Sequence, residues 1–259
     1  MNIKIKKILK KKNRSKIVCL TAYSKKIASI LDRYCDLILV GDSLGSVLYN
    51  YKSTKEVTLD IMINHSKSVR LGVQKSIMIV DMPYNTYQTP KQALKNVKLV
   101  MKETKCDGVK LEGGKKIIPI IKNLVKHKIP VMGHVGILPQ SDKKFTFKGK
   151  KQKESERILN ETKLLEKTGV FSIVLECIEK KLSKQITEKI KIPTIGIGSS
   201  ANCDGQVLVI DDLIGMSESK FKFVKKYVDI SKIIDGAVKK YRHEVLKKKF
   251  PTLKHSFRN

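Results

Sequence analysis

Short apolar runs, often rich in β-branched residues, alternate along the chain with longer amphipathic stretches. The eight runs are Ile17–Ala22, Leu37–Gly41, Ser76–Asp81, Gly108–Glu112, Pro130–Val135, Phe171–Glu176, Pro193–Gly198 and Gln206–Ile210. Runs of this length that are apolar on both faces are typical of parallel strands buried between helices. The pattern therefore predicts about eight parallel strands.

Most of the intervening segments carry apolar residues at helical spacing. The predicted helices are Ser24–Arg33, Leu59–Leu71, Pro90–Lys102, Lys115–Lys126, Glu154–Lys167 and Lys180–Ile190, with Asp229–Lys249 beyond the last strand. Eight parallel strands with helical crossovers close most naturally into a barrel. We expect one α/β domain over residues 1–259, a (β/α)₈ TIM-type barrel with an extra C-terminal helix. An open doubly wound sheet is the alternative.

Composition adds limits to this fold. Hydrophobic residues make up 41% of the 259 positions, which argues against wholesale disorder. No stretch approaches the roughly 20 apolar residues that span a bilayer, and no apolar segment follows the basic N-terminus as in a secretory signal. We expect a soluble cytoplasmic protein with no membrane partner. The five scattered cysteines then predict buried thiols in a reducing compartment.

The formal net charge of +30 raises the question of a nucleic-acid partner. A nucleic-acid site favours clustered arginine with stacking aromatics, whereas here lysines are dispersed and aromatics are only 6%. We interpret the charge as solvated lysine and expect no specific nucleic-acid partner, with a polyanion-binding role as the alternative. The runs Lys10–Lys12 and Lys247–Lys249 are interpreted as solvated termini.

Ionisable residues stand toward the C-terminal ends of five consecutive predicted strands. They are Asp42, Asp81, Lys110 with Glu112, His134 and Glu176. A single Asp after a strand is most often a helix cap, but Lys and His are poor caps. In a barrel these strand ends meet at one mouth, where enzymes of this fold place their chemistry. The pattern predicts one shared active site.

The residue types suggest roles in that site. Asp42, Asp81 and Glu112 are hard oxygen ligands that suit Mg²⁺, although one of them could instead be a hydrogen-bonding group. Lys110 lies two residues before Glu112 and so faces the same side of the strand, where it could meet an anionic substrate or form a structural ion pair. Glu176 is a candidate general base.

At these residues the chain resembles the ketopantoate hydroxymethyltransferase (3-methyl-2-oxobutanoate hydroxymethyltransferase) family, from Ile17 to about Met216. The matching segments are Leu20-Thr21-Ala22-Tyr23, Val40-Gly41-Asp42-Ser43-Leu44-Gly45, Val109-Lys110-Leu111-Glu112-Gly113-Gly114, Gly133-His134-Val135-Gly136, Pro139-Gln140-Ser141, Leu175-Glu176-Cys177, Gly196-Ile197-Gly198 and Cys203-Asp204-Gly205-Gln206. Their order and spacing make the resemblance specific.

The resemblance implies a (β/α)₈ barrel that uses Mg²⁺ or a similar divalent ion and 5,10-methylenetetrahydrofolate. It implies formation of ketopantoate from 3-methyl-2-oxobutanoate through a metal-stabilised enolate, the first step of pantothenate biosynthesis, in a large homo-oligomer, often a decamer. The implied roles fall on seven residues: metal binding on Asp42, Asp81 and Glu112, substrate binding on Asp42, Ser43, Asp81, Lys110 and His134, and proton abstraction on Glu176.

Departures from the family pattern lie away from the ionisable residues. Ser24 stands where the family usually has Asp, Ser200 where it has Gly, and a usually glycine-rich loop is the lysine-rich segment Lys143–Lys153. These departures concern folate binding and loop closure. Phosphoenolpyruvate mutase and isocitrate lyase relatives are the enzyme alternative, but their Lys-Lys-Cys-Gly-His loop is absent from the sequence. A basic binding protein that uses the barrel as a scaffold is the alternative from another class.

Overall fold

The computed structural model describes residues 3–142 and 146–257. Eight parallel strands form a closed barrel in chain order, in which β1 pairs with both β2 and β8. The strands are β1 Ile17–Thr21, β2 Leu37–Val40, β3 Ile77–Asp81, β4 Gly108–Glu112, β5 Val131–Gly136, β6 Ser172–Glu176, β7 Thr194–Ile197 and β8 Gly205–Leu208. The predicted barrel is confirmed, and the open sheet is excluded.

Ten α-helices occur within the described residues. They are α1 Ile3–Lys10, α2 Lys25–Leu31, α3 Leu44–Tyr49, α4 Leu59–Arg70, α5 Pro90–Thr104, α6 Ile118–Lys126, α7 Gln152–Thr168, α8 Lys180–Lys189, α9 Ile210–Ile214 and α10 Ile230–Leu246. All seven predicted helices are present with shifted ends, whereas α1, α3 and α9 were not predicted. Short 3₁₀ turns cover Thr54–Glu56, Lys115–Ile117 and Leu253–His255.

Local sequence fixes where several helices begin. The side chains of Thr58 and Thr89 accept hydrogen bonds from the backbone N–H groups of Ile61 and Gln92, and so cap α4 and α5. Pro90 occupies the first turn of α5, where its missing N–H costs no hydrogen bond. These caps orient the helices that cover the outside of the barrel.

Helix α1 packs at the N-terminal end of the barrel. Ile5 and Ile8 are buried in one cluster with the strand side chains of Ile17, Leu37 and Ile77. The sequence of α1 is amphipathic but short and basic, and the sequence alone did not predict a helix here. The packing of its apolar face against the strands is evident only from the structure. The opposite, C-terminal end of the barrel is left for the site.

The structure corrects the prediction that Lys10–Lys12 is a solvated terminus. Lys10 is exposed, but Lys12 has a side chain only 8% exposed, and its ammonium lies 2.8 Å from Oδ2 of Asp204. Lys11 pairs with Asp36 at 2.6 Å. Asp204 also accepts a hydrogen bond of 2.9 Å from the backbone N–H of Thr194. This buried ion pair joins the chain before β1 to the chain before β8.

The chain separates into two compact units, residues 1–209 and residues 210–259. The first unit contains the barrel. The second contains α9 and α10, and α10 confirms the predicted C-terminal helix. A single domain over residues 1–259 stays a prediction. None of the helices in the described ranges is long and apolar enough to cross a membrane.

Candidate active site

The strand ends bring the predicted ionisable side chains together at the C-terminal mouth of the barrel. Asp42 follows β2, Asp81 ends β3, and Glu176 ends β6. Parallel pairing sets Asp81 beside Lys110 and Glu112 beside His134. Asp42, Asp81, Lys110 and Glu112 are 3–5% exposed and His134 is 1% exposed. Such burial of charge is unusual away from a functional site.

Lys110 is the cationic centre of the cluster. Its ammonium lies 3.2 Å from Oδ1 of Asp81 and 3.9 Å from Oε1 of Glu112. Asp42 joins the cluster through its backbone N–H, which donates to Oδ2 of Asp81 at 3.2 Å. Burial opposes protonation of Lys110, but Asp81, Glu112 and Asp42 together hold its pKa well above the ordinary value. Lys110 is therefore a permanent cation among three carboxylates.

His134 connects this cluster to Glu176. Its Nδ1 lies 3.2 Å from the ammonium of Lys110 and 3.4 Å from Oε1 of Glu112, and its Nε2 lies 3.2 Å from Oε2 of Glu176. Burial and Lys110 lower the pKa of His134, but Glu112 and Glu176 outweigh them and raise it to about 9. Glu176 is thus coupled to the other carboxylates through the imidazole.

The pKa values of the three carboxyl groups do not all shift in the same direction. Burial, followed by the charges of Asp81 and Glu112, raises the pKa of Asp42 to about 8. Burial also raises the pKa of Asp81, although Lys110 opposes this effect. Burial would raise the pKa of Glu112, but His134 and Lys110 outweigh it and lower the pKa. The mouth therefore contains three buried carboxyl groups but only two buried basic side chains among these residues, Lys110 and His134.

Ser43 lies at the edge of this cluster. Its hydroxyl is 2.8 Å from that of Tyr23, which is buried after β1. A Cβ added to Gly41 would meet Oγ of Ser43 at 2.9 Å and Oδ2 of Asp81 at 3.5 Å. Glycine at position 41 thus leaves the space into which both oxygens project. The structure gathers Ser43 with the predicted ionisable residues.

Two polar residues at the mouth had no predicted role. The Gln140 side chain donates to Oδ2 of Asp42 at 2.7 Å, and its backbone N–H donates to Oε2 of Glu112 at 3.1 Å. The hydroxyl of Tyr87 donates to Oε1 of Gln140. Gln140 lies in the matching segment Pro139-Gln140-Ser141, which was the available signal. Tyr87 lies in the loop after β3, and nothing in the sequence distinguished it from a surface tyrosine.

The segments that depart from the family pattern flank the mouth. Residues 143–145 lie outside the described residues. Further along the lysine-rich loop, the backbone N–H of Lys148 donates to the carbonyl of Cys177 at 2.8 Å, directly after Glu176. Ser200 is buried, and its hydroxyl accepts from the N–H of Asn202 at 3.1 Å.

All five cysteines are free and buried, as predicted.

The carboxylates are not already gathered around a common point. Within residues 3–142 and 146–257, no three His, Cys, Asp or Glu side chains lie close enough together to hold a metal ion as they stand. The ammonium of Lys110 lies near both Asp81 and Glu112. The donor chemistry nevertheless suits a hard divalent cation, because three buried carboxylates carry the oxygens that Mg²⁺ prefers.

A closed barrel with acidic and basic side chains buried at the C-terminal ends of its strands defines the chain as a (β/α)₈-barrel enzyme. The sequence profile of the ketopantoate hydroxymethyltransferase family matches residues 2–253. The chain belongs to this family, and is accordingly a hydroxymethyl-transferring enzyme.

Relatives named 3-methyl-2-oxobutanoate hydroxymethyltransferase support this assignment. The protein of Pelagibacter ubique is 63% identical over 257 residues, which cover 99% of this chain and 100% of the relative. The protein of Anaplasma marginale (strain Florida) is 45% identical and covers 99% of this chain and 94% of its own length. Identity at this level over the full barrel establishes the family.

Solved structures agree on the fold. Phosphonopyruvate hydrolase superposes with a TM-score of 0.65 over 99% of this chain and 92% of its own, at 9% identity. A 2,3-dimethylmalate lyase, described as a phosphoenolpyruvate mutase/isocitrate lyase superfamily member, gives 0.61 over 96% and 85%, at 11% identity. At such low identity the likeness concerns the barrel alone.

Proposed function

We propose that this chain transfers a hydroxymethyl group from 5,10-methylenetetrahydrofolate to 3-methyl-2-oxobutanoate, which gives 2-dehydropantoate (ketopantoate) and begins pantothenate biosynthesis. The names of relatives up to 63% identical support this reaction. The observation that carries the proposal is the joined cluster at the barrel mouth, in which Lys110, His134 and Glu176 stand beside buried carboxyl groups. A 2-oxo acid presents the negative charge and the acidic C–H that such a cluster can handle.

We assign Asp42, Asp81 and Glu112 to a divalent cation such as Mg²⁺. The raised pKa of Asp42, caused by burial and by the neighbouring carboxylates, supports this assignment because a cation would relieve that excess of negative charge. When bound, such an ion supplies Lewis-acid stabilisation of negative charge on substrate oxygens. Among the described side chains, Asp81 Oδ1 is buried 3.2 Å from the ammonium of Lys110 without a well-aligned hydrogen bond, so a bound cation would compete with Lys110 for this oxygen.

The substrate is bound by Lys110, Ser43 and His134 in this proposal, together with Asp42 and Asp81. Lys110 is buried and permanently charged, so its attraction to a substrate carboxylate or to a developing oxyanion is screened little by water. The Ser43 hydroxyl, held by Tyr23, offers a hydrogen bond at the edge of the cluster. These groups orient C3 of the substrate toward Glu176.

Glu176 is the proposed general base. Its carboxylate takes the proton from C3, and the electron pair left behind is delocalised onto the adjacent keto group as an enolate. The methylene carbon of the folate forms a C–C bond to that carbon and a C–O bond to water, while its two C–N bonds to the folate break. The C3 proton held by Glu176 and one proton of the water go to the two folate nitrogens, and tetrahydrofolate leaves. His134, with Nε2 at 3.2 Å from Oε2 of Glu176, lies against the carboxylate and orients it for the proton transfer in this proposal.

The partners in this proposal are the 2-oxo acid, the reduced folate and further copies of the same chain. The family resemblance supports a homo-oligomer, often a decamer, and light scattering on the purified protein tests it directly. A cytoplasmic location and the lack of a specific nucleic-acid partner stay predictions.

The test is ketopantoate formation from 3-methyl-2-oxobutanoate and 5,10-methylenetetrahydrofolate with Mg²⁺. We expect activity that EDTA abolishes and Mg²⁺ restores, and an Asp81→Ala variant that is folded by circular dichroism but inactive. Asp60→Ala is the matched control, because Asp60 is exposed in the first turn of α4. Full activity in metal-free Asp81→Ala protein would contradict the metal, and absence of ketopantoate with the wild-type protein would contradict the reaction.

A further inference from the structure

Gln140 is a buried amide that touches two of the three carboxylates assigned to the cation. The side chain is 2% exposed. Its Nε2 donates to Oδ2 of Asp42 at 2.7 Å and to the carbonyl of Met82 at 3.0 Å. Its backbone N–H donates to Oε2 of Glu112 at 3.1 Å. Gln140, in the loop after β5, therefore bonds to Asp42 after β2, to Met82 after β3 and to Glu112 at the end of β4.

Two acceptors set the direction of this amide, and Tyr87 holds its oxygen end. If the amide were rotated by half a turn, its oxygen would face the Asp42 carboxylate and the Met82 carbonyl, which are both acceptors. In the observed orientation the hydroxyl of Tyr87 donates to Oε1 of Gln140 and lies 3.4 Å from the carbonyl of Glu112. Tyr87 therefore keeps the side chain of Gln140 in place against Asp42.

The loop that carries Gln140 is braced by its own hydrogen bonds. Oδ2 of Asp142 accepts from the N–H of Leu138 at 3.0 Å, and the N–H groups of Ser141 and Asp142 both donate to the Leu138 carbonyl at 2.8 Å. Gly136 begins the loop with a φ of 104°, and a Cβ there would lie 2.1 Å from the carbonyl oxygen of Glu176. This geometry directs Gln140 toward the carboxylates of Asp42 and Glu112.

We infer that Gln140 is a positioning residue, which holds the carboxylates of Asp42 and Glu112 in the orientation that binds the cation, and that Tyr87 acts through it. This inference rests on the proposed function, because it assigns a purpose to the same carboxylates. Partners that orient metal-binding side chains typically change metal affinity or activity about 10- to 100-fold when they are replaced.

The probe is Mn²⁺ alone, a carboxylate-binding ion whose free form is counted by electron paramagnetic resonance. In Gln140→Met the side chain keeps its length and stays uncharged, but the donor to Asp42 is lost. We expect Mn²⁺ to bind about 10- to 100-fold more weakly and kcat/KM to fall by a similar factor. Gln152→Met, the same change at an exposed position in α7, should leave both quantities unchanged.

A double-mutant cycle distinguishes positioning from a general loss of structure. Tyr87→Phe should weaken Mn²⁺ binding less than Gln140→Met does, and the double variant should bind no more weakly than Gln140→Met alone, because Tyr87 acts through Gln140. Additive losses in the cycle would overturn that coupling. If Gln140→Met failed to fold, the Mn²⁺ affinity of Tyr87→Phe decides, and a wild-type value would overturn the inference.

The two proposals fail in different ways. A folded Gln140→Met variant with wild-type Mn²⁺ affinity and wild-type kcat/KM would overturn the positioning role and leave the reaction intact. The proposed function itself would be contradicted if the wild-type protein formed no ketopantoate. It would also be contradicted if the Asp81→Ala variant bound Mn²⁺ as tightly as the wild-type protein does.

Discussion

Glu176 ends β6 with its carboxylate against Nε2 of His134, while the other ring nitrogen faces Lys110 and Glu112. The sequence predicted Glu176 as a candidate general base, with no stated connection to the other ionisable residues. The contacts instead make it the end of a continuous polar chain. The proposed base and the proposed binding groups are therefore joined through one imidazole.

The role of Glu176 can be measured as a half-reaction. Gln is nearly isosteric with Glu but cannot accept a proton at neutral pH, so Glu176→Gln should exchange the C3 hydrogen of 3-methyl-2-oxobutanoate with deuterated water about 10²- to 10⁴-fold more slowly. Proton NMR without folate follows the C3 signal. Glu188→Gln, on the exposed side of α8, is the matched control. Wild-type exchange in Glu176→Gln would make His134 the next candidate for the base.

Sequence reasoning located the ionisable residues because each follows a recognisable apolar run, and the barrel makes those positions converge. It could not find the Gln140 contacts. Gln140 and Asp42 are 98 residues apart, and their hydrogen bond depends on how a loop after β5 folds back over β2. A neutral amide in a loop also carries no charge or periodicity that would distinguish it. The contact between Gln140 and Asp42 can be recognised only from the three-dimensional positions of both residues.

At the scale of elements, Asp32 joins the end of α2 to the loop before β3. Its carboxylate accepts hydrogen bonds from the backbone N–H groups of Gln74, Lys75 and Ser76 at 2.8–3.1 Å. Burial on its own would raise the pKa of Asp32, but these donors outweigh it and lower the pKa. This bonding lies at the end of the barrel away from the mouth, where it serves stability.

The Asp32 contacts predict a pH-dependent stability. A carboxyl group whose pKa is lower in the folded state stabilises the fold above its unfolded pKa of about 3.9, and that contribution is lost as pH falls through the folded pKa. Urea unfolding should show Asp32→Asn less stable than wild type by about 1–3 kcal/mol at pH 7. The difference should narrow once pH falls below about 4.

The control for this experiment is Asp235→Asn, since Asp235 is 60% exposed in α10 and should contribute almost nothing. A stability difference for Asp32→Asn that stayed constant from pH 7 to below pH 4 would show that the carboxylate charge is not what matters.

The main elements could be predicted because buried parallel strands and amphipathic helices have distinct periods. Helix α1 was not predicted because four of its eight residues are lysines, a composition typical of a solvent-exposed terminus. Its apolar side chains, Ile5 and Ile8, gain a partner only when the barrel presents its N-terminal end. Short helices of this kind are stabilised by tertiary packing more than by their own sequence.

For the whole molecule, the net charge of +30 predicts weak binding to polyanions. Because the lysines are dispersed, retention on DNA or heparin should fade steeply with salt and show no sequence preference. Replacing Lys247, Lys248 and Lys249 with Gln should reduce retention about as much as replacing the exposed Lys91, Lys95 and Lys98 of α5. Tight, sequence-specific binding at about 200 mM salt would restore a nucleic-acid role.

The ion pair between Lys12 and Asp204 sets an order of events during synthesis. Lys12 and Asp204 are 192 positions apart in the sequence. Strand β1 also pairs with β8. Both contacts therefore join the beginning of the first unit to its end. Before β8 emerges from the ribosome, any sheet that the earlier strands form lacks this partner and leaves the edge of β1 unpaired. That nascent edge stays exposed until residue 208 leaves the exit tunnel, which makes chaperone protection most valuable late in translation.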